Sequence, residues 1–356
     1  MASFVIRGHE TTRQELYRGE TGLVKAGASL IVAEEPAVVM SETNTLLTVL
    51  GIVRASFTGF RFGDAVVLPP QDSGRIVIGA TGSILSDYQT AIVAAGDVFS
   101  LDNAGLVQGQ IIGLSLSGPV NFVINSGTIE GNDTCAILSY SDDFDLSNSG
   151  IISGPVGLYL RSTGVTIVDN SGLIEGSDYA IFAEFYGLCR IVNSGQIAGI
   201  VSLGGGADRF VGLLGSQSVI RGNGGDDFLK GGAGGERLSG GEGADFLSGA
   251  SGDDVLLGGS GADYIVGGRG NDILYGGSGR DQFKFGPTCG TDTVKDFKDG
   301  VDQIDLNQFG FATAAEAASF AIVAGEDVEF HFAGGGVVTL SGVAPMIANI
   351  EDWIIF

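Results

Sequence analysis

Seven acidic residues recur at a strict nine-residue step in the second half of the 356-residue chain. From Gly222 the chain reads GNGGDDFLK, GGAGGERLS, GGEGADFLS, GASGDDVLL, GGSGADYIV, GGRGNDILY and GGSGRDQFK. The sixth position of these units holds Asp227, Glu236, Asp245, Asp254, Asp263, Asp272 and Asp281. Glycines leave the carbonyl oxygens of a turn accessible and each acid adds a carboxylate. Every turn therefore offers only hard oxygen ligands, which suit calcium.

An apolar residue in each unit indicates how the acids are positioned. Two residues after the acid stand Leu229, Leu238, Leu247, Leu256, Ile265, Leu274 and Phe283. One inward side chain per unit predicts half a solenoid coil, so turns on one side are 18 residues apart. The pairs that would share an ion are Asp227 with Asp245, Glu236 with Asp254, Asp245 with Asp263, Asp254 with Asp272, and Asp263 with Asp281, which gives about five calcium ions. A flexible acidic linker would not keep acidic and apolar residues at a constant nine-residue step.

This stretch resembles the RTX family (hemolysin-type calcium-binding repeats), which implies a calcium-binding parallel β-roll. An outlying unit, LGGGADRFV, places a further candidate ligand, Asp208, nineteen residues before Asp227. After the repeats, TDTVKDFKDGVDQIDLNQFG resembles the segment that closes many RTX rolls, and this resemblance makes Asp292 another candidate calcium ligand. Glu236 and Ala250 depart from the repeat, and the longer Glu236 side chain makes its site the doubtful one.

The final residues, VVTLSGVAPMIANIEDWIIF, resemble the uncleaved C-terminal signal of type I secretion substrates. The first twenty residues have no apolar core of a cleavable signal peptide, and we expect none. The resemblance implies the type I secretion machinery as a partner, and an extracellular or cell-surface location in a Gram-negative bacterium. Stacked carboxylates and many glycines would keep the roll unfolded at low calcium inside the cell.

A second repeat precedes the first and contains an Asn-Ser-Gly signature, as in FVINSGTIEG, DLSNSGIISG and IVDNSGLIEG. Its marker position is occupied by Ala80, Asn103, Asn125, Asn148, Asn170 and Asn193, which follow one another at an almost constant step. Aliphatic residues flank the marker at fixed distances, and a glycine follows two residues after it. This pattern predicts a parallel β-helix of 22–23-residue coils, with the asparagines as a structural ladder of amides at a corner.

The predicted fold is therefore all-β, a parallel β-helix that continues into an RTX β-roll. We expect an N-terminal cap and irregular first coils over 1–79, the β-helix over 80–202 and the roll over 203–284. Residues 285–356 are expected to hold the roll-closing segment and the secretion signal.

Composition excludes several functions. With 42 acidic and 18 basic residues the net charge is −24, which opposes binding to nucleic acid and to anionic lipid. No apolar run is long enough to cross a bilayer, so we expect no membrane insertion. His9 and His331 are far apart in sequence, and the odd number of cysteines indicates buried small apolar side chains rather than a disulfide framework.

Three functions remain open. The favoured hypothesis is a non-enzymatic calcium-binding structural protein, surface-layer-like, filament-forming or adhesive. Its expected partners are copies of itself, when calcium is present, and a cell-surface glycan. The alternative is a polysaccharide lyase or C5-epimerase, because secreted β-helices joined to RTX rolls resemble those enzymes. A pore-forming toxin is the third, and it lacks the long amphipathic helices that insertion requires.

The residues of the predicted β-helix favour the structural hypothesis. Between residues 80 and 200 the basic residues are Arg161 and Arg190, and the tyrosines are scattered in sequence. Uronate chemistry needs a cation, a base and an acid on one face, so we predict no catalytic residues. The densest acidic cluster, Asp142, Asp143 and Asp145, is expected to be a solvated loop.

Overall fold

The computed structural model describes residues 2–33, 35–56, 64–213 and 218–355. The chain separates into two compact units, Met1–Ile200 and Val201–Phe356. Nearly all regular structure is β-strand, as the repeats predicted.

The strands of residues 2–198 are short and follow one another through tight corners. They are β1 (Ala2–Ile6), β2 (His9–Glu10), β3 (Gln14–Leu16), β4 (Thr21–Val24), β5 (Ser29–Ala33), β6 (Val38–Met40), β7 (Thr45–Val49), β8 (Ile52–Ser56), β9 (Val66–Leu68), β10 (Ser73–Ile78), β11 (Ser83–Ser86), β12 (Thr90–Ala94), β13 (Val98–Asn103), β14 (Leu106–Gly109), β15 (Ile112–Leu116), β16 (Val120–Asn125), β17 (Thr128–Gly131), β18 (Cys135–Ser139), β19 (Asp143–Asn148), β20 (Ile151–Leu160), β21 (Val165–Asn170), β22 (Leu173–Ala183), β23 (Leu188–Asn193) and β24 (Gln196–Ala198).

From residue 200 onward the structure contains further strands and three short helices. The strands are β25 (Ile200–Ser202), β26 (Arg209–Gly212), β27 (Val219–Gly224), β28 (Phe228–Lys230), β29 (Arg237–Glu242), β30 (Phe246–Ser251), β31 (Val255–Ser260), β32 (Tyr264–Arg269), β33 (Ile273–Ser278), β34 (Gln282–Lys284), β35 (Thr291–Val294), β36 (Gln303–Asp305), β37 (Ala321–Ala324), β38 (Asp327–His331), β39 (Val337–Leu340) and β40 (Ile354–Ile355). The helices are the 3-10 turns Asn307–Phe309 and Ala344–Trp353 and the α-helix α1 (Ala314–Ala318).

The first unit is a parallel β-helix with three strands per coil. On one side, which we call the first face, β13, β16, β19, β21 and β23 pair in parallel and in full register. The residues that begin these strands, and that pair with one another in turn, are Val98, Val120, Asp143, Val165 and Leu188. Their spacing equals that of the asparagine repeat, so the predicted β-helix and its coil length are confirmed.

The register of one repeat was predicted wrongly. Asn103 pairs with Ile78 and not with Ala80. On the next face Leu106 pairs with Ser83, which is the partner that the repeat length predicts. The corner between β10 and β11 is therefore two residues longer than its successor. Extra residues in a corner change the register of the strand before the corner, whereas the strand after it keeps its partner in the next coil. The spacing of the repeat in the sequence does not show where in the coil the extra residues lie.

Residues 2–79 were expected to form a cap and irregular coils. The described residues there follow the same three-strand plan, because β4, β7 and β10 pair in parallel on the first face. Leu46 pairs with Thr21 of the coil before it and with Arg75 of the coil after it, and Arg75 is farther from it in sequence. These coils therefore differ in length but stack like the later ones, and β1 already pairs with β4.

A ladder of buried asparagines joins successive coils of the first unit. The Nδ2 atoms of Asn103, Asn125, Asn148 and Asn170 each donate to Oδ1 of the asparagine one coil on, ending at Asn193, over 2.7–2.8 Å. All five side chains are buried. A primary amide both donates and accepts, so identical residues satisfy one another at a buried corner. The predicted structural ladder is confirmed.

The second unit contains a roll with two strands per coil. One sheet is formed by β26, β28, β30, β32 and β34, and the opposite sheet by β27, β29, β31 and β33. Phe228 pairs with Phe246 and Phe246 with Tyr264, which confirms the predicted coil of two nine-residue units. The apolar residue of every nine-residue unit is fully buried between the two sheets.

The segment after Lys284 closes the roll with longer coils. β36 continues one sheet, with Gln303 paired to Gln282, and β40 pairs with β36. β39 pairs in parallel with β35 and in antiparallel with β38. Trp353 is fully buried, and its Nε1 donates to Asp299 Oδ1 over 2.6 Å. No helix of the described residues is long and apolar enough to cross a membrane.

The three cysteines are all buried. Cys135 and Cys189 lie on strands of the first unit, and Cys289 follows β34 in the second. Their expected role as small apolar core residues agrees with this burial.

The asparagine ladder gives a stability prediction. Asn148→Ala removes the acceptor of Asn125 Nδ2 and the donor to Asn170 Oδ1, both of which are buried, so we expect a loss of about 1–3 kcal/mol in the free energy of unfolding. Urea denaturation of the full chain in calcium, followed by circular dichroism, measures it. The control is Ser147→Ala, an exposed position on the same strand, expected to change stability by less than about 0.5 kcal/mol. Equal effects of the two changes would contradict the ladder's role.

Candidate calcium sites of the roll

The acids of the nine-residue units form two buried rows along the roll. One row consists of Asp208, Asp227, Asp245, Asp263 and Asp281, and the other of Glu236, Asp254, Asp272 and Asp292. Within a row, the backbone N–H of each acid donates to Oδ1 of the acid one coil on, over 2.7–3.1 Å. The structure thus brings together all nine acids that the sequence singled out, including the outlying Asp208 and Asp292.

Sequence reasoning missed the acid that ends the first row. Asp302 Oδ1 accepts the N–H of Asp281 over 3.0 Å, and its Oδ2 accepts the N–H of Lys298 over 2.8 Å. The separation of Asp302 from Asp281 matches the longer closing coil rather than the nine-residue phase. Because Asp302 does not follow the nine-residue repeat, the repeat pattern did not identify it. The surrounding sequence GVDQIDL nevertheless has the alternation of apolar and polar residues that is typical of a strand.

The second carboxylate oxygen of these acids is buried without a partner. Within the described residues, no hydrogen bond reaches one oxygen of each of Asp227, Glu236, Asp245, Asp254, Asp263, Asp272, Asp281 and Asp292. A buried charged oxygen without a partner is costly, and a row of them is more costly still. The rows therefore require a cation or a proton.

The first glycine of each unit makes room for that oxygen. A Cβ on Gly240 would lie 2.0 Å from Asp245 Oδ2 and 2.7 Å from the carbonyl oxygen of Gly258. A Cβ on Gly249 would lie 2.0 Å from Asp254 Oδ2 and 2.7 Å from the carbonyl oxygen of Gly267. A carboxylate oxygen and a carbonyl oxygen of the next coil thus approach the same point beside each glycine, and any side chain there would displace them.

The second and fourth positions of the units are glycine, except at Asn223 and Ala250, for a different reason. Six units have positive φ at both positions, namely the pairs 223 and 225, 241 and 243, 250 and 252, 259 and 261, 268 and 270, and 277 and 279. Ala250 adopts φ 75° despite its Cβ. These left-handed residues form the tight turn between the two sheets of the roll.

The unit that contains Glu236 differs from the others. Gly232 and Gly234 are not among the positive-φ residues of the described chain. The longer Glu236 side chain folds back, and its Oε2 accepts the N–H of Gly232 over 3.0 Å. The turn that the sequence marked as doubtful is thus the one with different backbone geometry.

Burial shifts the titration of the row acids upward. Loss of hydration raises the pKa of Asp227 to about 8, of Asp254, Asp263 and Asp292 to about 7 and of Asp272 to about 6, while the donated backbone N–H groups act in the opposite direction. Each folded value exceeds the unfolded value near 4, so the folded roll without metal binds protons and loses stability as the pH rises through this range. At neutral pH folding without metal requires these acids either to bind protons or to stay ionised while buried, and a bound cation would relieve that penalty.

The donor set of the turns fits calcium. The ligands available at each turn are carboxylate and main-chain carbonyl oxygens, which calcium prefers. No group of three or more His, Cys, Asp or Glu side chains gathers at one point within the described residues. The row acids would supply the negative charge, and the glycine carbonyl groups would complete the coordination.

A second polar cluster lies on the β-helix around Arg161. Its Nε is 2.6 Å from Glu184 Oε2, and its Nη1 donates to the hydroxyl of Tyr140 over 3.2 Å. The hydroxyl of Tyr159 donates to Glu184 Oε2 over 2.9 Å. The expectation that the tyrosines are scattered is wrong for these two, because the stacking of successive coils brings positions 140, 159, 161 and 184 side by side.

The comparison with protein families agrees with the geometry of the roll. The family model of the RTX calcium-binding nonapeptide repeat (4 copies) matches residues 218–247 and 248–283. None of the curated proteins compared matches the chain. Among solved structures, the chain is similar to the AlgE6R3 subunit of the Azotobacter vinelandii mannuronan C5-epimerase, with 29% identity over 37% of this chain and 79% of that chain and a TM-score of 0.22. Residues 218–283 therefore consist of RTX calcium-binding repeats, as the sequence indicated.

Proposed function

We propose that this protein is an extracellular calcium-binding structural protein, surface-layer-like, filament-forming or adhesive. In this proposal the second unit folds on calcium after type I secretion, and the folded protein then binds copies of itself. The supporting observation is the pair of buried rows in which carboxylate oxygens lack a partner. They make the folded roll conditional on a cation.

Calcium concentration would then control folding. Outside a cell, calcium is about 1 mM, and sites with dissociation constants of about 10⁻⁴–10⁻³ M would each contribute about 0.4–1.4 kcal/mol. The five pairs of repeat acids correspond to about five ions. Their summed contribution is comparable with the stability of an ordinary domain, so binding and folding would occur together.

The C-terminal segment supports export before folding. In the folded unit Trp353 is fully buried, and β40 pairs with β36. A signal in this segment would therefore be accessible to the secretion machinery only while the second unit is unfolded. Low calcium inside the cell would maintain that state.

The cluster around Arg161 supports a second candidate function, a polysaccharide lyase or C5-epimerase. An arginine, two tyrosine hydroxyls and a carboxylate are the kinds of group that neutralise a uronate and transfer its proton. The ion pair with Glu184, however, already balances the charge of Arg161. This arrangement makes the structural function the better supported of the two.

Removal of calcium tests the main proposal. We expect excess chelator to abolish the β-structure of the second unit, while the β-helix, which is joined by neutral amides, remains folded. Far-ultraviolet circular dichroism with and without calcium measures the change. A spectrum that does not change in excess chelator would show that the roll folds without the metal.

One row acid tests the ligand assignment. Asp254→Asn keeps the acceptor for the Glu236 N–H but removes a charge shared by two adjacent sites. We expect equilibrium dialysis to show roughly one or two fewer bound calcium ions and a higher calcium midpoint of folding. Glu242→Gln is the control, since Glu242 is an exposed acid of the same roll, and it should leave both values unchanged. Equal calcium binding by the two variants would refute the assignment.

Enzyme activity is tested directly on uronate polymers. We expect no unsaturated uronate by ultraviolet absorbance, and no exchange of the C5 proton, when the calcium-loaded protein is incubated with alginate or pectin. Activity that disappears on Arg161→Ala, with an unchanged circular dichroism spectrum, would favour the second candidate over the structural function.

A further inference from the structure

One sheet of the roll has an outward surface that is basic and aromatic. Its strands β26, β28, β30, β32 and β34 contain Arg209, Lys230, Arg269 and Lys284 and no acidic residue. The whole chain has 42 acidic and only 18 basic residues, so this concentration of positive charge is unusual within it. We call this surface the basic face.

Stacked aromatic rings form the centre of the basic face. Phe228 and Phe246 lie in register on neighbouring strands, with ring centroids 4.7 Å apart and planes at 2°. Tyr264 continues the stack at 5.5 Å and 12°. The Arg209 guanidinium lies 4.2 Å from the centroid of Phe228. Partly exposed aromatic rings beside arginine are the composition of the energetically important centre of protein interfaces.

The first face of the β-helix has the opposite charge. Four neighbouring strands of it, β13, β16, β19 and β21, contain Asp102, Asp143, Asp145 and Asp169 and no basic residue, whereas the next strand, β23, contains Arg190. Residues 76–160 as a whole contain eight acids and no lysine, arginine or histidine. We call the outward surface of these four strands the acidic face.

Asp143 and Asp145 were expected to lie in a solvated loop, and that expectation is wrong. Both are outward residues of β19, within a parallel sheet. Burial and then the charges of Asp143 and Asp169 raise the pKa of Asp145. Like charges are thus crowded on this face, and a cation supplied from outside would stabilise them.

The acidic face also exposes apolar side chains. Val98 is 45% exposed, Phe122 44% and Ile124 56%, and Val165 and Ile167 follow on β21 at 36% and 37%. Contiguous exposed apolar residues on a sheet are typical of a surface that binds a partner. The partner must be apolar in part and basic in part, and the basic face meets both conditions.

The charges of the two faces match in number. Asp102 lies 3.6 Å from Arg75 on the neighbouring strand, which leaves three acids, Asp143, Asp145 and Asp169. Lys284 lies 3.1 Å from Asp305, which leaves three basic residues, Arg209, Lys230 and Arg269. Both faces are parallel sheets whose strands repeat at about 4.8 Å, so rows of side chains on one can align with rows on the other.

We propose that the basic face of one copy binds the acidic face of a second copy. This inference rests on the proposed assembly function and identifies the surfaces that would carry it out. The contact is heterologous, so every copy keeps one face of each kind available and the contact repeats into chains or rings. About five bound calcium ions would reduce the net charge from −24 to roughly −14 and weaken the repulsion between copies.

Charge reversal on each face tests the contact. The basic-face variant is Lys230→Glu with Arg269→Glu, and the acidic-face variant is Asp145→Lys with Asp169→Lys. All four side chains point outward from their strands. The control is Arg221→Glu with Arg237→Glu, which makes the same charge change on the opposite sheet of the roll. Circular dichroism in calcium establishes that each variant is folded.

Light scattering during a calcium titration gives the result. We expect the wild type and the control to grow beyond 36.4 kDa as calcium rises, and each face variant alone to stay at that mass. An equimolar mixture of the two face variants should again grow beyond that mass, because each variant retains the face that the other has lost and the two reversed faces are of opposite charge.

The other outcomes separate this inference from the proposed function. A wild type that stays at 36.4 kDa in calcium would refute the assembly function itself. A wild type that grows, together with a basic-face variant that grows equally, would refute only the contact. Face variants that remain monomeric when mixed would refute the pairing of these two faces. A monomeric wild type that binds polygalacturonate through the basic face would identify an anionic glycan, and not a second copy, as its occupant.

Discussion

The hydrogen bond from the backbone N–H of each row acid to the carboxylate of the acid one coil on is the interaction on which the second unit depends. It fixes one carboxylate oxygen and directs the other into the buried turn, where no donor of the described residues reaches it. The glycine that faces this oxygen, the left-handed residues of the turn and the constant coil length all follow from the need to stack identical carboxylates. The same stacking makes the unit unstable without a cation.

The β-helix solves the same stacking problem with a different functional group. An asparagine amide is neutral and both donates and accepts, so Asn148 is satisfied by Asn125 before it and Asn170 after it. An aspartate carboxylate only accepts, so a row of aspartates always lacks donors. The amide ladder needs no cation, whereas the carboxylate rows do at neutral pH. This difference in side-chain chemistry is consistent with the proposed order of export and then assembly.

Repetition also determines the outer surface. Because each strand lies directly on the equivalent strand of the previous coil, one residue type at one outward position becomes a row on the surface, as with Phe228, Phe246 and Tyr264. Rows of rings, of basic residues and of acids can thus arise from a few sequence positions. A solenoid protein consequently has extended flat surfaces of uniform character, and such surfaces favour repeated contacts between copies.

The sequence by itself determined the coil lengths, the buried apolar columns, the asparagine ladder and the seven aligned acids of the nine-residue units, because a constant repeat length converts residue number directly into position on a coil. It did not reveal the shifted partner of Asn103 or the role of Asp302, since a corner or closing coil of different length breaks that conversion. Only the tertiary structure brought Arg161 to Tyr140 and Glu184, and placed Asp143 and Asp145 on a sheet rather than in a loop. Those arrangements depend on which residues of neighbouring coils lie side by side. The length and position of every corner determine this, and they are known only from the folded chain.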